Sequence, residues 1–165
     1  MRAVLAVCVV LVIGVASSVS AQDRRNGSVE GIGGWAGFVD DDTIGHSVFG
    51  IAAKWNVSPR VALGPELVYM IGPRSDRNLM LTGNVTVDLF DRPVTPFFVV
   101  GGGLFRHSDD FGGLGLRGTF SSTEGAFTAG GGVRIAVNDR FYIAPEARLG
   151  WELHTRLSVA AGWRF

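Results

Sequence analysis

The sequence predicts an all-β chain, an eight-stranded antiparallel up-and-down transmembrane β-barrel. Three observations carry that expectation. Apolar residues recur with a period of two almost everywhere beyond the first 21 residues, with no helical spacing. The connections between the apolar runs alternate between long and short, as a meander with two unlike rims requires. Each run has one bulky apolar face and one face of small residues with isolated charges, and aromatics gather near both ends.

Met1 to Ala21 read as a cleaved secretory signal: Arg2, then the short apolar run "AVLAVCVVLVIGVA", then small residues at Val19-Ser20-Ala21. Cys8, the only cysteine, lies inside it, too early for a lipoprotein box, so the mature chain is expected to carry neither thiol nor lipid anchor. Residues 22–165 make one domain. Without Arg2 there are 14 basic against 15 acidic residues, a net charge of −1 that gives nucleic acid no electrostatic footprint.

The eight expected strands are Ser28–Phe38, Ser47–Val57, Val61–Gly72, Leu79–Leu89, Thr95–Arg106, Ala126–Val137, Phe141–Trp151 and Arg156–Phe165. The even links are tight turns at Ser58, Phe90 and Asn138. The odd links are expected to be longer loops: Val39–His46, Pro73–Asn78, Ser108–Gly125 and Glu152–Thr155. "RVALGPELVY" from Arg60 and "RFYIAPEARL" from Arg140 echo one another, because both strands leave the same rim and meet similar neighbours.

Alternation alone does not say which face is inside. The bulky face carries Phe49, Ile51, Trp55; Leu63, Leu67, Tyr69; Leu81, Val85, Val87; Val133, Ile135; Phe141, Ile143 and Leu149. The other carries Glu30, Lys54, Glu66, Asp88, Arg106, Arg134, Glu146, Arg148 and Arg164 among many glycines and alanines. Small residues suit the inside of a narrow barrel, whereas glycine on a solvated wall costs stability. Two aromatic girdles are expected. Trp55, Phe90, Phe97, Phe141, Trp163 and Phe165 lie toward the short-turn rim, and Trp35, Phe49, Tyr69, Phe105, Phe127 and Trp151 toward the other. "PFFVVGGGLF" is apolar on both faces, and only Arg106 sets its phase.

The chain ends in "RLSVAAGWRF", an alternating strand running to an aromatic residue, as a closed barrel allows because every strand has two paired edges. In this ending and in its strand rhythm the sequence resembles small outer-membrane β-barrels of the OmpA and OmpX type. The resemblance implies an outer-membrane location in a Gram-negative-type envelope with a periplasmic N-terminus, and contact with outer-membrane lipid. It also implies an assembly signal at Val159, Ala161, Trp163 and Phe165, read by the outer-membrane assembly machinery. Ending at the barrel, the chain is expected to lack the peptidoglycan-binding domain of full-length OmpA.

The nine charges expected in the lumen nearly balance, which suits a salt-bridge plug, since buried charges persist when paired. A narrow low-conductance channel is the alternative. A lipid-modifying enzyme is a third reading, because deacylase and palmitoyltransferase barrels exist on this scaffold; but the deacylase's His-x-Ser strand motif is missing, and His46-Ser47 and His107-Ser108 are neighbours that point to opposite faces. No cofactor or metal is expected: "DDDTIGH" lacks the ligand spacing of a calcium loop, and neither "GGG" run leads into a helix. The long-loop rim sums to a net −5, including Asp40, Asp41 and Asp42. Its fifth link keeps Phe111, Leu114, Leu116 and Phe120 among glycines. That link is the expected site of surface contact, with a ligand the sequence does not name.

Overall fold

The computed structural model describes residues 26–39, 43–73, 76–113, 116–151 and 153–165. The expected signal and residues Asp40, Asp41, Asp42 and Leu114 lie outside them. At 109–113 and 116–120, which include Phe111, Leu116 and Phe120, only the backbone is described.

Eight strands form one closed antiparallel barrel in sequence order: β1 Gly27–Val39, β2 Thr43–Asn56, β3 Val61–Ile71, β4 Arg77–Asp88, β5 Val94–Gly113, β6 Leu116–Ala136, β7 Phe141–Gly150 and β8 His154–Arg164. β1 and β8 close it, in register from Ser28↔Arg164 to Phe38↔His154. The short turns are held by their own side chains. Ser58 Oγ accepts from Val61 N at 3.1 Å, Asn138 Oδ1 from Phe141 N at 2.8 Å, and Thr95 Oγ1 donates to the Arg92 carbonyl at 2.6 Å.

Burial decides the face. Ile51 is 64% exposed and Leu149 65%, while Glu66 and Arg156 are each 1% exposed. A wall this apolar with a charged interior inverts the arrangement of a water-soluble protein, and it fits hydrocarbon outside. Ten of the twelve expected girdle aromatics are on the outside. Phe165 lies against β1, where a Cβ on Gly27 would sit 3.0 Å from its ring, so glycine there lets the last ring cover the seam.

Three expectations are corrected, two of them on β5. Its phase is opposite to the one Arg106 suggested: Phe97, Val99 and Phe105 point inward at 1–2% exposure, and Phe98, Val100 and Leu104 point outward with Arg106. Phe97 and Phe105 therefore leave the girdles, and Arg106 leaves the lumen. Arg106 pairs with Leu79 near the start of β4, at the rim, where an outward arginine extends its head into water. The fifth link is the second correction. It is ladder rather than loop, continuing from Ser108↔Ser121 to Gly113↔Leu116 through a run rich in Thr, Ser and Phe that suits extended backbone. The first link also shortens, with Val39 pairing Thr43.

Candidate functional site

The lumen is filled in layers, because each strand contributes every second residue to it. Across its middle, Glu66 of β3 meets Glu146 and Arg148 of β7 and Arg156 of β8. Arg148 Nη2 lies 2.7 Å from Glu66 Oε2 and 3.0 Å from Glu146 Oε2, and Arg156 Nη2 lies 2.8 Å from Glu66 Oε1 and 3.0 Å from Glu146 Oε1. Two carboxylates and two guanidiniums thus alternate in a neutral ring, and Ser158 donates a further bond to Glu146 at 3.1 Å. Nε and Nη1 of both arginines, with the side-chain oxygens of Thr82, Asn84 and Thr128, are buried without a protein partner. Such groups cost about 1–3 kcal/mol each unless water takes the bond.

Below it, at the short-turn mouth, Tyr142 is the hub. Its hydroxyl donates to Glu30 Oε1, which also accepts from Lys54 Nζ at 2.7 Å, and it lies 2.9 Å from Ser28 Oγ. Arg164 lies 4.9 Å and Arg134 5.2 Å from its ring, and Arg134 is ion-paired with Asp88. The ring lies flat on β8 because residue 162 is glycine; a Cβ there would sit 2.1 Å from Tyr142 Cζ. A cavity of about 740 Å³ opens from this floor between the turns.

Above the ring of four, Val48, Val68, Met70, Met80 and Phe105 cross the lumen as an apolar layer, with Ala36 and Phe38 beside them. The three histidines of the chain gather beyond it. His46 Nε2 lies 2.7 Å from Asp76 Oδ2, His107 Nδ1 lies 2.6 Å from Asn78 Oδ1, and His154 Nδ1 lies 2.8 Å from the Trp151 carbonyl, with Phe38 between His46 and His154. Among the described residues no group of three or more ligating side chains is placed to hold a metal.

Of the nine charges expected inside, Glu30, Lys54, Glu66, Glu146 and Arg148 are buried, Asp88, Arg134 and Arg164 are half-buried at the short-turn mouth, and Arg106 is outside. Arg156, one of the ring's two cations, was missed although its parity with Ser158 and Arg164 places it inside. Tyr142 was missed likewise, being the inward neighbour of the outward Phe141. Val159, Ala161, Trp163 and Phe165 face outward along the β8 wall.

Neither a family model nor a curated protein matches the sequence. Solved structures do match. The architecture is that of the small eight-stranded outer-membrane barrels, and it is shared at the level of fold. Neisserial surface protein A superposes with a TM-score of 0.74 at 16% identity, over 87% of this chain and 100% of that one. The N-terminal barrel domain of Pseudomonas aeruginosa OprF gives 0.63 at 12% identity, over 87% and 100%. The attachment invasion locus protein Ail of Yersinia pestis, in complex with the heparin analogue sucrose octasulfate, gives 0.60 at 15% identity, over 84% and 98%.

Proposed function

We propose that this chain is a non-enzymatic outer-membrane barrel with a closed lumen, which contributes to envelope integrity or surface contact through its long-connection rim. The observation that carries this is the β5–β6 hairpin. β4 accompanies β5 only to Ser108, and on the other side the last bond of β6 runs from Trp151 N to the Phe127 carbonyl, so the hairpin from Asp109 to Ala126 stands clear of the wall on one or both edges. A sealed barrel with a lipid-facing wall leaves such a projection as its main contact surface. The short-turn rim and the N-terminus face the periplasm in this reading, and the terminal Trp163 and Phe165 serve assembly. The histidines here are engaged in structural bonds at the mouth, which favours a role without catalysis.

Ail was solved with a polyanionic heparin analogue. The rim here is acidic instead: the net −5 of its connections becomes −4 with Arg106 turned outward. Like charge disfavours a sulfated glycan and favours a basic partner. Replacing Asp109 to Glu124 by a short Gly-Ser turn tests the reading. The barrel should still fold, shown by different gel positions when boiled and unboiled, and a surface phenotype such as adhesion should disappear. Retention of every phenotype would refute the contact role. Deleting Phe165, or Trp163→Asp, should reduce membrane insertion; wild-type insertion of both would refute the assembly role.

A further inference from the structure

On the outer wall of β7 and β8 an interfacial cation, an aromatic pair and an apolar groove follow one another along the same strands. At the short-turn rim the exposed Arg140 sits with its guanidinium carbon 5.8 Å from the Trp163 ring. Trp163 and its cross-strand partner Phe141 meet edge to face, with centroids 5.6 Å apart. Asp139 lines the cavity at the short-turn mouth, whereas Arg140 of the same turn lies beside the outward Trp163 ring. Further along the wall lies a depression of about 550 Å³ between Gly33, Gly131, Pro145, Ala147, Leu157 and Val159. Gly33 leaves it open, since a Cβ there would meet nothing within 4 Å.

The dimensions match one leaflet. From Trp163 to Leu157 is six residues, about 20 Å at about 3.3 Å per residue; with strands tilted about 45° that is about 14 Å of depth, close to half the ~30 Å hydrocarbon core. We propose that this face is a binding site for a single anionic phospholipid, its phosphate on Arg140 and one acyl chain running past Phe141 and Trp163 into the groove. The proposal rests on the reading that the wall faces a bilayer and adds a specific lipid to it. An arginine at the headgroup level supplies charge selectivity, and the groove supplies acyl contact that does not depend on the headgroup.

The two halves can be tested separately by native mass spectrometry of the folded protein in detergent, with phosphatidylglycerol and phosphatidylcholine added in equal amounts. The wild type should retain one phosphatidylglycerol with about fivefold preference, the effect of one arginine on a lipid of net negative charge, since the choline cation of phosphatidylcholine offsets its phosphate. Arg140→Gln should lose that preference and still bind lipid, whereas Gly33→Leu, which fills the groove, should bind less of both lipids; the boiled-against-unboiled gel shift verifies folding of each. A wild type without the preference, Arg140→Gln keeping it, or Gly33→Leu binding as the wild type does would overturn the site. If the variants match the wild type and all insert into vesicles, the site fails and the membrane reading stands; if the wild type does not insert, both fail.

Discussion

The lumen is crossed at two levels by different physics. At mid-barrel, Glu66, Glu146, Arg148 and Arg156 span it with a neutral ring of ion pairs. Toward the long-connection rim, Val48, Val68, Met70, Met80 and Phe105 span it with packed side chains. Buried ion pairs gain little net stability over a well-packed apolar core, but they penalise the loss of one member heavily. Apolar layers behave in the opposite way, tolerating exchange at constant volume and charging only for the space left behind. The ionic layer therefore demands one arrangement, whereas the apolar layer tolerates repacking.

Removing one member of the ring should give the largest effect. Arg156→Met leaves Glu66 and Glu146 sharing Arg148, and should cost about 3–5 kcal/mol in urea unfolding from lipid vesicles. A loss under about 1 kcal/mol would mean that water and not the ring carries the charge balance. Met70→Ala in the other layer should cost about 2–5 kcal/mol by leaving a cavity, whereas Met70→Leu should cost less than about 1.5 kcal/mol. Arg148→Lys is the matching conservative exchange in the ring, and it should be worse than Met70→Leu because lysine is one atom shorter than the arginine whose Nη2 bridges Glu66 and Glu146, and its compact ammonium is more strongly hydrated and costs more to bury. Equal costs for the two exchanges would erase the distinction between the layers.

Tyr142→Phe removes the hydroxyl that donates to Glu30 beneath the ring, and should cost about 1–3 kcal/mol. The smallest effect belongs to Arg106→Gln, within about 0.5 kcal/mol of the wild type, because Arg106 is exposed at the rim. A loss of several kcal/mol there would place Arg106 in the lumen and favour the opposite phase of β5.

That last comparison shows where the sequence is readable. β7 reads cleanly because Phe141, Ile143 and Leu149 alternate with Tyr142, Glu146 and Arg148, so polarity marks the faces. β5 does not, since "PFFVVGGGLF" puts apolar or glycyl residues on both faces, and the phase then hung on one rim arginine whose side chain reaches water from either side. Arg156 was legible by parity alone. Its partners were not, because pairing across a lumen depends on barrel closure and shear, which strand periodicity does not encode. The β5–β6 extension was hidden by its glycines, which read as loop although the Ser, Thr and Phe between them extend the ladder.

The central claim is that the two layers together seal the barrel, and single-molecule conductance in planar bilayers tests it most directly. The wild type should insert and show no resolvable ion current, and should gain current only when both layers are opened together, as in Glu66→Ala with Met70→Gly. Steady ohmic conductance from the wild-type protein would contradict it, since a continuous ion path cannot coexist with an intact ring of four and the apolar layer above it.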